Sequence, residues 1–122
     1  MILNLMNETG IAYWLGKSKW ELDTPCLAID LDLLDANLQE MQRFAAVQGK
    51  QLRPHTKTHK CSTLARRQMA AGAVGVCAAK VSEAESLIAR GVQNVLITGP
   101  VATPFKIERA VRAAGSLVRH CH

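Results

Sequence analysis

The chain has 122 residues, of which 48% are hydrophobic, 20% charged and 4% aromatic. That length suits one compact domain and excludes a complete large barrel, which takes about 250 residues, while the ordinary balance of charged and apolar residues excludes a disordered chain. The net charge of +5 is unevenly spread: residues 1–50 carry four basic and seven acidic side chains (net −3), and residues 51–122 carry eleven basic and three acidic (net +8).

A basic half can attract an anionic cofactor, a nucleic acid or an acidic surface. Nucleic-acid binders interleave aromatic residues with basic ones for stacking; after residue 50 only Phe105 is aromatic, so no nucleic-acid partner is expected. The N-terminus lacks the basic start and apolar run of a secretory signal, and no apolar stretch approaches the roughly 20 residues of a membrane span. A cytoplasmic protein with no membrane partner is expected. Cys26, Cys61, Cys77 and Cys121 form no C-x-x-C pair and are expected as free, mostly buried thiols.

In chain order, residues 1–22 read as a lead-in whose Trp14 and Trp20 are expected to pack onto something. Thr24-Pro25 opens a predicted strand, Cys26 to Ile29, where a missing proline N–H does least harm. Asp32 can cap a helix with Leu33, Leu34, Leu38, Met41, Phe44 and Ala45 on its apolar face, ending at Gly49. A strand is predicted at about 51–57, then a helix capped by Ser62 and ending at Gly72. A buried strand over Val74 to Ala79 precedes Ser82-Glu83-Ala84-Glu85, which has capping-box spacing and starts a helix ending at Gly91. Lys80, just before it, has the default reading of a surface lysine. Asn94 to Thr98 forms the next strand. Thr103-Pro104 supplies an N-cap and a first-turn proline for a helix ending at Gly115, and Ser116-Leu117-Val118 starts another strand.

Gly49, Gly72, Gly91 and Gly115 are spaced by 23, 19 and 24 residues. A helix–glycine–strand repeat of that period implies βαβ units and a parallel sheet. The short period favours a (β/α) barrel wall, and no phosphate-binding glycine fingerprint is present. The reading is a partial (β/α)8 TIM barrel of about the first four βα units. The last strand runs into Arg119-His120-Cys121-His122, whose histidines and cysteine read as accidental end sequence rather than as metal ligands, and the chain reads as the front of something longer.

One stretch carries chemistry: Arg53-Pro54-His55-Thr56-Lys57-Thr58-His59-Lys60. In a strand, Arg53, His55, Lys57 and His59 would share one face. Basic side chains on a barrel interior are costly unless they have partners, which marks a site. A neutral lysine amine is nucleophilic and forms a Schiff base with a carbonyl such as that of pyridoxal phosphate; the competing reading is a solvated strand-end lysine. His55 and His59, which with Cys61 have a spacing possible for zinc, would stand about 13 Å apart along a strand, too far to share one ion unless the chain turns helical there, so no metal site is assigned.

This stretch resembles the R-P-H-x-K-x-H-K signature of the D-threonine aldolase and D-serine dehydratase-like enzymes, fold-type III pyridoxal-phosphate proteins of the alanine racemase N-terminal barrel superfamily. Asp23-Thr24-Pro25 with Leu27 to Leu31 is similar to the family's DTP-x-L-x-x-D-L opening. Val74 to Cys77, Lys80 to Glu85 and Leu96 to Thr98 also match in order. The resemblance implies that residues 23–122 are the N-terminal portion of a pyridoxal-phosphate-binding barrel. It implies that Lys57 is the catalytic lysine that carries the cofactor and moves protons at the substrate, and that His55 lines the cofactor pocket.

Low-specificity D-threonine aldolases, which cleave D-3-hydroxy amino acids to glycine and an aldehyde, look most similar. A D-serine dehydratase-like lyase and a non-catalytic pyridoxal-phosphate or anion-binding module are the alternatives. The resemblance implies a homodimer for the family's full chain, which adds the rest of the barrel and a C-terminal β-domain with the phosphate-binding residues and the ligands of a divalent metal. None of these has a counterpart here, so this chain alone is expected to be inactive.

Overall fold

The structure is a computed structural model that describes residues 16–118. Chain contacts divide it into two units, Met1–Leu31 and Asp32–His122. In the first, Lys19–Glu21 forms a single 3-10 turn. The Ser18 hydroxyl accepts from the Trp20 N–H at 3.4 Å, and the Glu21 carboxylate accepts from the Ser18 N–H at 2.8 Å. Trp20 is 85% exposed with the Lys19 ammonium 5.1 Å from its ring centroid, so the packing expected of it is not seen; Trp14 lies outside the described residues. The predicted Cys26 to Ile29 strand is exposed irregular chain, because among the described residues no segment takes up its backbone groups in a ladder.

The second unit carries the α/β pattern. Helix α1 (Leu31–Val47) opens at Leu31, which places Asp32 inside the first turn rather than at the cap. Its Ala45 is buried and Leu34 and Leu38 are half-buried, but Leu33, Met41 and Phe44 stay exposed. Helices α2 (Ser62–Ala70) and α3 (Val81–Ile88) alternate with two three-residue strands, β1 (Val76–Ala78) and β2 (Val95–Ile97). All three helices close alike. The amides of Gly49 and Lys50 return to the carbonyls of Ala46 and Ala45, those of Gly72 and Ala73 to Met69 and Gln68, and those of Gly91 and Val92 to Ile88 and Leu87. This is a Schellman-type closure, and Gly91 takes the left-handed φ of +78° that it requires.

β1 and β2 pair in parallel with Val76 opposite Val95, Cys77 opposite Leu96 and Ala78 opposite Ile97. The segment before α2 runs beside β1 on its other edge: the Val74 N–H donates to the Leu52 carbonyl (3.0 Å) and the Cys77 N–H to the Pro54 carbonyl (2.7 Å). His55 forms a parallel bridge with Cys77. Three parallel segments joined through helices are a piece of a TIM-barrel wall, as the repeat implied.

The core lies between the helices and one face of this sheet. Ala65 of α2, Ala84 and Leu87 of α3, Val76 and Ala78 of β1, and Val92 form one buried cluster, with Met69, Val95 and Ile97 packed against it. The small alanines on α2 and α3 let the helix backbones approach the sheet closely, so short strands still bury their apolar side chains.

Helix α4 (Pro104–Val118) begins as read, with Thr103 Oγ1 accepting from the Lys106 N–H at 3.4 Å. It does not stop at Gly115. Glycine tolerates helical backbone at a cost of about 1 kcal/mol relative to alanine, so it ends a helix only where a left-handed turn follows. Ser116 to Val118 therefore continue the helix instead of forming the predicted strand. Among the described residues no helix is long and apolar enough to cross a membrane. The thiols of Cys26, Cys61 and Cys77 are free; only Cys77 is buried, and Cys121 lies outside the described residues, as do His120 and His122.

Candidate active site

Residues that pair across parallel strands share a face. Val76, Ala78, Val95 and Ile97 face the helices, so His55, Cys77 and Leu96 face the opposite side, where the interior of a barrel lies. Arg53 and Thr98, each two residues along an extended segment, fall on the same side. The basic stretch is thus placed on the inner face, at the C-terminal ends of the strands, where barrel active sites are built.

The strand does not run through the whole stretch. It ends at His55, and Thr56–Thr58 form a 3-10 turn. The shared face expected for Arg53, His55, Lys57 and His59 therefore breaks after His55. The cause is local hydrogen bonding. His55 Nδ1 accepts from the Lys57 N–H (3.2 Å), the Thr58 hydroxyl donates to the His55 carbonyl (3.4 Å), and the amides of His59 and Lys60 return to the Thr56 carbonyl. Thr56 is 2% exposed and donates from Oγ1 to the Cys77 carbonyl (2.9 Å), pinning the turn to the end of β1.

Lys57 stands exposed at the outer corner of this turn and makes no ion pair among the described residues. His55 reaches the other way: its Nε2 lies 3.1 Å from Thr98 Oγ1, which in turn donates to the Ala78 carbonyl at 3.2 Å. The His55 ring thus meets the Lys57 backbone rather than its amine, and the structure adds Thr98, which sequence reading passed over as the end of an ordinary strand. A hydroxyl residue at the C-terminal end of a barrel strand was the available signal.

The other basic residues separate from this pair. The Arg53 guanidinium crosses over β1 at Gly75 and donates to the Asn94 carbonyl. Gly75 has φ +156°, and a Cβ there would collide with that guanidinium and with the Asn94 carbonyl, so only glycine admits the crossing. His59 folds back to accept from the Cys61 N–H through Nδ1 (3.1 Å), and its buried Nε2 has no partner among the described residues. Lys60 takes a left-handed φ of +49° to leave the turn. Lys80 is exposed as the α3 N-cap.

Capping does not account for Ser82 and Glu85 as the sequence suggested. Helix α3 starts at Val81, two residues early, with no side-chain cap at Lys80. Instead the Glu83 carboxylate accepts from the Ala79 N–H (2.9 Å), and Glu85 forms a bidentate pair with Arg109 of α4. A guanidinium fork matches a carboxylate better than a capping geometry does, so Glu85 ties two helices together. The hydrogen bond from Arg109 outweighs partial desolvation and, with Coulomb attraction, holds the Glu85 carboxyl below its ordinary value of 4.5.

Residues 29–121 match the family described as alanine racemase, N-terminal domain, and the chain belongs to it. More particularly, it is 46% identical over 86 residues to the D-threonine aldolase of an Arthrobacter species, covering 70% of this chain and 23% of that one. It is 40% identical over 109 residues to the 3-hydroxy-D-aspartate aldolase of Paracoccus denitrificans, covering 87% and 28%. The crystal structure of D-threonine aldolase from Filomicrobium marinum superposes with a TM-score of 0.75 at 49% identity, over 77% of this chain and 26% of that one. The chain therefore spans about a quarter of the length of the relatives it matches.

Proposed function

We propose that residues 23–122 form the N-terminal portion of a pyridoxal-phosphate-dependent lyase of D-3-hydroxy amino acids, with residues 1–22 as a lead-in. The aldolase relatives support retro-aldol cleavage to glycine and an aldehyde, the reaction of low-specificity D-threonine aldolases. The observation that carries the reading is the position of Lys57: an exposed amine, without an ion pair among the described residues, on a pinned turn at the C-terminal end of three parallel segments.

The residues present fit the cofactor. An exposed amine can attack its carbonyl, and the net positive charge of residues 51–122 suits its anionic phosphate, whose own binding residues lie outside this stretch. When bound, pyridoxal phosphate supplies an electron sink for the pair released at the amino carbon. Lys57 holds the cofactor and moves a proton at the substrate's amino carbon. His55 keeps the Lys57 backbone in place through Nδ1 and lines the pocket with its ring. Thr56 keeps the turn on the sheet. The family resemblance supports a small D-amino acid substrate, a cytoplasmic setting, a homodimeric full-length form and a divalent metal bound by residues outside this stretch. A chain of these 122 residues by itself is proposed to be inactive.

Borohydride reduction in the presence of pyridoxal phosphate, followed by peptide mapping, is expected to label Lys57. A label confined to other lysines would falsify the assignment. For turnover, residues 23–118 can replace the matching segment of the Arthrobacter aldolase. The chimera is expected to release glycine from D-threonine, and ammonia release instead would favour the dehydratase reading.

A further inference from the structure

The site contains one hydrogen-bond chain whose direction can be read off without seeing a proton. The backbone N–H of Lys57 can only donate. The 3.2 Å contact it makes with His55 Nδ1 therefore requires a lone pair on that nitrogen. In a neutral ring the proton then sits on Nε2, which faces Thr98 Oγ1 at 3.1 Å. Thr98 Oγ1 accepts that proton's hydrogen bond and sends its own hydrogen to the Ala78 carbonyl, 3.2 Å away. That carbonyl also receives the Thr98 N–H at 2.9 Å, which anchors the hydroxyl to β1. Every donor in the series has one acceptor, and only one protonation pattern satisfies them all.

From this we infer that Thr98 is a positioning residue: by accepting from His55 Nε2 it selects the tautomer whose Nδ1 holds the Lys57 backbone, and so fixes where the lysine is presented. The two ends of the series lie on different strands, since Thr98 follows β2 and Lys57 follows the segment on the far side of β1. The relay thus ties the placement of Lys57 to the register of the sheet across three parallel segments. Remove the Thr98 hydroxyl and His55 Nε2–H loses its acceptor. The ring is then free to turn or to move its proton to Nδ1, and a protonated Nδ1 repels the Lys57 N–H instead of accepting from it. This deepens the reading of Lys57 given above and takes its catalytic meaning from it, but the relay itself makes no use of a cofactor.

The test uses the full chain labelled with nitrogen-15 at histidine and in the backbone. Two-bond proton–nitrogen correlations distinguish the ring tautomers. The wild type is expected to carry the His55 proton on Nε2, and a proton on Nδ1 overturns the proposal outright. Thr98→Val is expected to shift His55 toward a mixture of tautomers and to speed exchange of the Lys57 amide roughly fivefold, the size expected for one hydrogen bond. The Cys77 amide, bonded to the Pro54 carbonyl, should keep its wild-type rate. Thr98→Ser, which restores a hydroxyl, should return both signals. Unchanged tautomer and Lys57 exchange in Thr98→Val overturn the proposal; if that variant loosens Cys77 as well, the wild-type tautomer decides alone. Borohydride labelling separates the two readings: an intact relay with no label at Lys57 removes the lyase and leaves the positioning role standing.

Discussion

The two faces of the β1 sheet differ in what they are made of and in what they do. Toward the helices, Val76, Ala78, Val95 and Ile97 meet Ala65, Ala84 and Leu87, with no polar side chain in the cluster. Toward the other side stand Arg53, His55, Cys77, Leu96 and Thr98, mostly polar and, apart from the buried Cys77, incompletely covered; Leu96 is 51% exposed. The first face stabilises by taking apolar surface out of water. The second is held by hydrogen bonds aimed at particular atoms, which fix geometry and contribute little net stability. Stability and chemistry are therefore carried by alternate residues of the same short segments.

Substitutions can break that division. The largest loss is expected for Leu87→Ala, which opens a cavity on the helix-facing side and should cost about 2–5 kcal/mol in a denaturant melt. If the melt barely moves, this face is not the source of stability. Gly75→Ala should cost about 1–3 kcal/mol, because its Cβ meets the Arg53 guanidinium and the Asn94 carbonyl and its φ of +156° suits only glycine. Adding Arg53→Ala should recover part of that loss. Lys57→Ala belongs to the other class. With the side chain exposed, stability should change by less than about 0.5 kcal/mol, while borohydride incorporation at this position disappears.

The smallest effect concerns pH. Glu85 is held below its ordinary value of 4.5 first by the Arg109 hydrogen bond, so the folded chain binds fewer protons there than the unfolded one. Its contribution is complete above 4.5 and is lost as pH falls through the depressed folded value. The difference in melting temperature between wild type and Glu85→Gln should therefore be largest near neutral pH and shrink as the pH falls below 4.5. A gap that widens in acid would show that Arg109 does not hold this carboxylate.

The helices were legible from their ends. Gly72, Gly91 and the Thr103-Pro104 pair mark boundaries through local chemistry, since caps and left-handed closures involve residues a few positions apart, whereas Ser62 caps nothing: it is the first residue of α2, whose N-cap is Cys61 without a side-chain hydrogen bond. The strands were less legible, because a ladder needs a partner from elsewhere in the chain. Cys26 to Ile29 has strand composition and no ladder partner among the described residues, whereas Leu52 to His55 becomes extended because β1 lies beside it. Gly115 shows the same limit from the helical side: its identity permits a stop without enforcing one.

In the site, residue type alone was enough to single out the Arg53 to Lys60 stretch, since clustered cations on an interior face demand an explanation, and the signature within it named Lys57. Its geometry was not readable. Strand alternation would have aligned four basic side chains on one face; the turn instead sends Arg53 to Asn94, His59 to Cys61 and His55 to Thr98.

What the amino-acid order determined by itself was the repeat of helix, glycine and strand, the family, and the lysine proposed as reactive. All of these depend on residue identity and short spacings. Which residues meet was decided by tertiary structure: Glu85 with Arg109 rather than at a cap, and His55 with Thr98, 43 positions apart. Such pairings depend on the register of parallel segments, which arises only when the helices pack their alanine and leucine faces onto the sheet.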